Sequence, residues 1–462
     1  MPAEPEVALD LQRPLRIHIV GIGGAGMSAI ALVLRAMGHT VSGSDLKDSP
    51  VAQRLRSHGI TVAVGHRGGN VGQVDALTFS PAVAPTNPEI RAAGESGALV
   101  VPRSDMLAAI CATRRCLAVA GTKGKTTTAS ILSLILVEAG MKPSFLIGAD
   151  VNEIGTNAAW DSGEWLVVEA DESFGTFQVL RPDVAVLTNV EPDHLDFYGT
   201  FEKLQAAFES FVALAGGGSV VSSDDSHAAD IGRSHGSLSV GTSPDATFVM
   251  SSVALSRASV SFTLRGPEGE LGTLTVGVPG LHNARNAALA AVAALHVGVP
   301  FPAVARALAR FAGVSRRFEF RGEANGVTFV DDYAHLPFAV EAALSTARTG
   351  GWSRIVAVFQ PHRYTRTAEL ATEFGRAFGE ADVLVVTDVY GAGETPIPGV
   401  SGLMVADAVR ARDPHVPVTY AAGREELQRV VAGLLRPGDL CLTLGAGDLT
   451  TLPDELLESP EW

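Results

Sequence analysis

Short apolar runs that end on glycine and give way to helix-spaced apolar residues recur along this chain. The first covers 16–20, a strand pattern running into GIGGAGMS (21–28) and then into helical spacing over 29–37. A strand over 40–43 ends at Ser44 and Asp45, and shorter units follow through 76–80 and 99–102. The pattern restarts at 116–120, which leads into GTKGKTTT (121–128) and an apolar helix over 129–139. Strands over 165–169 and 184–189 come next, and alternating Ser/Thr with Val and Leu predicts a β-rich stretch over 220–278. Helical patterns over 287–295 and 301–311 close this middle region. Beyond Gly313 strands are predicted over 328–331, 355–359, 383–387 and 440–444. Strand, glycine turn and helix in succession predict an α/β fold in three domains, 1–110, 111–312 and 313–462.

Composition narrows what such a fold does. Across 462 residues, 35 Lys and Arg stand against 50 Asp and Glu, and the net charge of −15 excludes a general polyanion binder such as a nucleic-acid coat. A local basic phosphate site is still allowed. Three cysteines, Cys111, Cys116 and Cys441, match neither an even disulfide set nor a CxxC metal spacing, which points to buried thiols in a reducing compartment. The opening residues carry acids and prolines where a signal peptide needs a basic start, so a cytoplasmic location is expected. The uncharged stretch 287–305 is long enough for a membrane span, but His296, Gly298, Pro300 and Pro302 interrupt it, and no membrane insertion is expected.

Two glycine loops carry the first chemistry. Gly21, Gly23, Gly24 and Gly26, with Ser28, form GxGxxG between strand and helix, where absent side chains let the backbone approach a phosphate. Asp45, ending the next strand, stands where an acid reaches a ribose, and by itself this loop would suit NAD. The second loop is the stronger signal. Gly121, Thr122, Lys123 and Gly124 offer backbone N–H groups to phosphates, Lys125 neutralises the outer oxygens, and the hydroxyls of Thr126 and Thr127 follow, Thr126 facing a divalent cation. Val119 stands where the first glycine of the full P-loop pattern belongs. Glu169, Asp171 and Glu172 end one strand and Asp193, His194 and Asp196 follow another; each is either a metal-side group or a solvated charge. Later come His282, Asn283, Arg285 and Asn286, then Arg316, Arg317, Asp331, Asp332, Tyr333, His335, His362, Arg363 and Arg366, whose arginine forks suit carboxylate or phosphate.

Taken together and in order, IHIVGIGGAGMSAIA with SGSD, GTKGKTTT, EADES, TNVEPDHLDFYG, HNARNA, RRFEF, VDDYAH and QPHRYTRT resemble the Mur ligases of peptidoglycan synthesis, most closely the alanine-adding branch, over about residues 16–450. The resemblance implies a Rossmann-like N-terminal domain for a UDP-sugar, a central P-loop ATPase domain and a Rossmann-like C-terminal domain for an amino acid. It implies UDP-N-acetylmuramate and L-alanine as substrates, ATP, and two Mg²⁺ ions, with Mn²⁺ an alternative. It reassigns Gly21, Gly23, Gly24, Gly26, Ser28 and Asp45 to the UDP-sugar, together with Ser80 and the AVAPTNPE stretch (82–89) that follows. Lys125 and Thr126 fall on the ATP phosphates, Thr126, Glu169 and His194 on the metals, and His282, Asn283 and Asn286 at the adenine. Arg317 and either Asp331 or Asp332 would lie toward the ribose and phosphates, and Tyr333, His335, His362, Arg363 and Arg366 would face L-alanine and the muramyl carboxylate. His335 is then a candidate base for the amine, with the phosphate itself as the alternative. Departures are Lys123 for the usual histidine, Leu336, Phe338 and Ala339 in the third-domain motif, and Phe208 where other branches carry a carbamylated lysine. A UDP-sugar sensor, a nicotinamide oxidoreductase and a sister ligase with another acceptor are the competing readings.

Overall fold

A computed structural model describes residues 9–458 except Arg257, without the side chains of Ala25, Phe174 and Asp196. The first eight residues, on which part of the N-terminal reading rests, lie outside it. The chain forms two compact units, one of residues 1–254, 261–277 and 282–312, the other of 255–260, 278–281 and 313–462. The first unit holds two sheets and the second holds one.

Strands β1 (Arg16–Val20), β2 (Thr40–Asp45), β3 (Thr61–Val64), β4 (Ala76–Phe79) and β5 (Leu99–Pro102) form a parallel sheet in the order 3-2-1-4-5. Order reverses between β1 and β4, the place where ligands settle outside the carboxyl ends of such sheets. Register fixes what meets there: Val20 lies opposite both Ser44 and Phe79, so Gly21, Asp45 and Ser80 emerge side by side.

The second sheet comprises β6 (Arg115–Ala120), β7 (Ser144–Val151), β8 (Thr156–Ala159), β9 (Trp165–Glu169), β10 (Val184–Leu187), β11 (Ser219–Ser222), β12 (Leu238–Gly241), β13 (Phe248–Leu255), β14 (Val260–Gly266) and β15 (Gly269–Val276). Its order is 15-14-13-12-11-10-6-9-7-8, and β6 pairs in parallel with β9 and β10. Both β6 neighbours therefore end beside the GTKGKTTT loop. The helix Lys125–Glu138 is buried from Thr126 through Leu136, a core helix rather than an amphipathic one, which is why its sequence shows no polar stripe. The expected β-rich stretch over 220–278 is interrupted by the helix Ser226–His235, which Asp225 caps by accepting from the Ala228 N–H. Its buried face, Ala228, Ile231 and Gly232, is small and leaves a faint helical period. The 287–305 stretch is two helices, Leu281–His296 and Phe301–Arg310, and no described helix is long and apolar enough to cross a membrane.

In the second unit β16 (Glu319–Ala324), β17 (Val327–Asp332), β18 (Arg354–Phe359), β19 (Val383–Val386), β20 (Val418–Tyr420) and β21 (Asp439–Leu444) run 16-17-21-18-19-20, parallel except for the antiparallel edge strand β16. Leu444 lies opposite both Asp332 and Phe359, so Tyr333, Gln360 and Gly445 leave the same edge. All three cysteines are free and buried.

Candidate active site

The phosphate loop is held by its neighbours before any ligand is considered. Gly121 has φ of +133°, where an L-residue is strained, and a Cβ there would collide with Thr188 Oγ1. Thr122 N and Lys123 N donate to the carbonyl and side-chain oxygens of Asn189 at 3.0 and 2.9 Å. A Cβ on Gly124 would strike the Asn286 amide, so the helix Leu281–His296 reaches the loop through Asn286, while Asn283 is buried and His282 exposed.

Lys125 is the centre of charge. Its Nζ donates to Glu172 Oε2 at 2.7 Å, to Glu172 Oε1 at 3.0 Å and to Gly121 O at 2.7 Å, with the two side chains 13% and 1% exposed. Burial disfavours the ammonium, but the carboxylates of Glu172, Asp171 and Glu169 outweigh it and hold Lys125 charged beyond its ordinary range. One residue on, Thr126 Oγ1 donates to Glu169 Oε1 at 2.9 Å, and Glu169 Oε2 accepts from Gly148 N at 2.7 Å. Asp171, Glu172 and His194 bring donor atoms within 4.8 Å of one another, and His194 Nε2 lies 3.2 Å from Ser173 Oγ. Of the predicted metal residues the structure thus joins Thr126 to Glu169, and gathers His194 with Asp171 and Glu172. Hydroxyl and carboxylate oxygens are the donors that Mg²⁺ and Mn²⁺ prefer, so the set fits a hard divalent cation. The Asp196 side chain lies outside the described residues.

Lys123 does not point a spare charge at the phosphates. Its ammonium pairs with Glu191, whose backbone N–H donates to Thr122 Oγ1 at 2.9 Å. Both side chains are about one-third exposed, at 31% and 37%. Pairs of this kind contribute little, so Glu191→Gln is expected to change the KM for ATP less than about fivefold, read from initial rates.

At the first sheet, Gly21 N and Ile22 N donate to Ser44 O at 2.9 and 3.0 Å, and Asp45 Oδ2 accepts from Gly23 N at 2.8 Å. A Cβ on Gly21 would stand 3.0 Å from the Ser80 Cβ, so Ser80 flanks the same turn, and Ser28, following Gly24 and Gly26, is buried in the helix. Beneath this loop lies a network that sequence reasoning missed. In NPE, Asn87 caps the helix Pro88–Glu95 and sets Glu89 in its first turn, fully buried. Glu89 accepts from Ser44 Oγ, from Arg67 N at 2.9 Å and from Asn70, and lies 3.4 Å from His18 Nε2. Burial opposes its charge, but these donors prevail and hold the carboxyl at about 2. The resemblance marks the AVAPTNPE stretch that ends at Glu89, but nothing in that stretch marks Glu89 as a buried acceptor. Only the convergence of β1, β2 and the segment after β3 reveals it.

In the second unit, Tyr333, His335 and His362 gather at one edge: ring centroids are 5.2 Å apart for Tyr333 and His335 and 5.5 Å for His335 and His362. Arg316 and Arg317 lie 5.0 and 5.1 Å from the Tyr333 ring, and Arg366 reaches His362 Nδ1 at 3.4 Å. Arg363 caps the helix Tyr364–Ala377 in an exposed position, its N–H donating to Tyr390 O at 2.8 Å. The surroundings bear on two expectations here. Burial, with the nearby arginines and His362, pushes His335 down to about 3, so it is neutral but a feeble base for an ammonium group. Asp331 is 1% exposed and bonded to Thr443, Thr450 and Arg316, so its oxygens are engaged within the fold. Asp332 accepts the N–H groups of Phe318 and Ala334, both at 2.8 Å, and burial lifts it to about 6. Phe208 is core, 5.1 Å from the Phe177 ring.

A P-loop lysine and threonine set against two carboxylates, in a chain with three α/β sheets, define a nucleoside-triphosphate-dependent α/β enzyme. Residues 16–115 match the Mur ligase family catalytic domain, 119–294 the Mur ligase middle domain and 316–447 the Mur ligase glutamate ligase domain, and the chain belongs to the Mur ligase family. A UDP-N-acetylmuramate--L-alanine ligase of Geobacter sp. (strain M21) is 43% identical over 447 residues, spanning 96% of this chain and 97% of that one. The protein of that name from Saccharopolyspora erythraea is 45% identical over 477 residues, spanning 100% and 96%. Among solved structures, the UDP-N-acetylmuramate-alanine ligase MurC of Thermotoga maritima superimposes with a TM-score of 0.84 at 28% identity, covering 97% of this chain and 99% of that one.

Proposed function

We propose that this protein joins L-alanine to the lactyl carboxylate of UDP-N-acetylmuramate at the expense of ATP, in peptidoglycan precursor synthesis. The observation that carries this is the adjacency of Lys125 with Glu172 and Thr126 with Glu169 on one sheet edge, in a chain whose relatives of that name match almost throughout. A carboxylate is a poor electrophile toward an amine at neutral pH, and phosphorylation supplies the leaving group. The lactyl oxygen attacks the γ-phosphorus, the bond to the β-phosphate oxygen breaks, and ADP leaves an acyl phosphate. Lys125 and the loop N–H groups stabilise the charge that spreads over the transferring phosphoryl group. Thr126 and Glu169, with Asp171, Glu172 and His194 beside them, are the residues that would hold divalent cations. When bound, such ions neutralise phosphate charge.

The alanine amine then attacks the acyl carbon and phosphate departs. With His335 held neutral and weakly basic, the departing phosphate is the better acceptor for the amine proton. His362, Arg363 and Arg366 would orient the amino acid carboxylate, since guanidinium forks match it in shape and charge. ATP supply and three buried free thiols fit a cytoplasmic setting.

The test is phosphate release by the full chain with ATP, Mg²⁺ and UDP-N-acetylmuramate, with and without L-alanine, alongside L-serine and glycine, with product masses recorded. Alanine-dependent release with an alanylated product is the expected result. Release dependent on another amino acid, or none at all, would overturn the reading.

A further inference from the structure

The first unit contains a cleft of about 230 Å³ that runs from the first glycine loop to the phosphate-loop carboxylates. Gly26 and Ala29 line one end, Glu169 and Asp171 the other, with Gly148 and Arg103 between them. Arg103 opens the helix Arg103–Cys111, directly after the exposed Pro102. Its Nε is buried without a hydrogen-bond partner, and among the described residues the guanidinium enters no ion pair. The residue is half-buried and Asp171 feels its charge, yet Nε keeps no acceptor, and a buried donor left without one is costly enough to favour an anionic ligand that supplies it.

The local sequence is shaped around it. A Cβ on Gly26 would stand 2.7 Å from one terminal nitrogen of Arg103 and 3.0 Å from its Cζ. The last glycine of GxGxxG thus makes room for the guanidinium, in addition to any service to a phosphate. The net charge of the lining is negative, so an entering carboxylate has one place to settle. Glu169 and Asp171 repel an entering carboxylate, and Arg103 is the single cationic side chain among the described lining residues.

We propose that Arg103 binds the lactyl carboxylate of the UDP-sugar and presents it to the phosphate loop. This rests on the function proposed above and adds the group that secures the nucleophile. A guanidinium suits the task because its fork holds a carboxylate in a fixed plane, leaving one oxygen lone pair free to attack. The bond-forming steps are unchanged; Arg103 supplies position and charge.

The experiment compares the wild-type chain with Arg103→Met and Arg103→Lys. UDP-N-acetylmuramate and UDP-N-acetylglucosamine, which shares the diphosphate but lacks the lactyl carboxylate, are titrated calorimetrically, and steady-state kinetics are measured for all three substrates. Arg103→Met is expected to weaken UDP-N-acetylmuramate binding on the order of 10- to 100-fold, with UDP-N-acetylglucosamine binding, the KM for ATP and the melting temperature near wild type. Arg103→Lys should recover part of the loss. Equal weakening of both UDP-sugars would reassign Arg103 to the diphosphate and overturn the proposal, as would unchanged affinity for UDP-N-acetylmuramate. Failure of the wild-type chain to make an alanylated product overturns the function itself, a result separable from either outcome.

Discussion

Replacing Lys125 by alanine is expected to lower kcat on the order of a thousandfold or more, while the affinity for UDP-N-acetylmuramate stays within a few-fold of wild type. The lysine stands on the GTKGKTTT loop of the second sheet, whereas the residues proposed for the UDP-sugar lie on the first glycine loop. Loss of its ammonium removes the charge that stabilises phosphoryl transfer. It also strands the Glu172 carboxylate, 1% exposed, which burial already pushes above its ordinary pKa. That second effect is structural and has its own control. Glu172→Gln added to Lys125→Ala should restore the melting temperature and leave turnover lost. Parallel loss of kcat and UDP-sugar binding in the single variant, measured by quenched-flow phosphate release and calorimetry, would contradict separate sites.

Glu89→Ala is expected to destabilise the N-terminal sheet by on the order of 3 kcal/mol. The substitution leaves His18, Ser44, Arg67 N and Asn70 without their shared acceptor in a fully buried place. Urea denaturation of the full chain, with hydrogen exchange followed at the amides of β1 and β2, measures it. A pH arm separates charge from volume. The carboxyl is held at about 2 against an ordinary 4.5, so the folded state binds its proton less readily than the unfolded chain. Its stabilisation is present above pH 4.5 and fades as pH falls toward 2. Glu89→Gln should therefore narrow its gap from wild type across that window, and a constant gap would refute the ionised form. Because Ser44 O also receives the Gly21 and Ile22 N–H groups, the same variants should raise the KM for the UDP-sugar.

Strand, glycine turn and helix units were legible because apolar runs such as IHIV and CLAVA are short, bounded and buried on both faces of parallel sheets. The phosphate loop was legible for a related reason, since its residues are contiguous. What escaped is what contiguity does not encode. EADES offers three acids, and only the fold assigns Glu169 to Thr126 and Glu172 to Lys125. Glu89 gains its meaning from partners brought in from β1, β2 and the segment after β3, and Arg103 from a cleft that Gly26 helps to open. Asp331 shows the converse. Its place in VDDYAH suggested a ligand contact, and Thr443 and Thr450 from the far end of the chain engage its oxygens. The helix Ser226–His235 escaped because its buried face, Ala228, Ile231 and Gly232, is small and sits inside a stretch rich in Ser/Thr–Val alternation.

The Lys125–Glu172 pair carries one consequence for the catalytic cycle. On the proposed function, a phosphate arriving at Lys125 would not meet a bare cation but would compete with a carboxylate already seated there, so binding would be an ion exchange. Much of the Coulomb gain is offset by the bond given up, and the same trade runs in reverse when ADP departs. On that reading, a loop that holds its own counter-charge would keep its shape between turnovers and ease the release of its spent nucleotide.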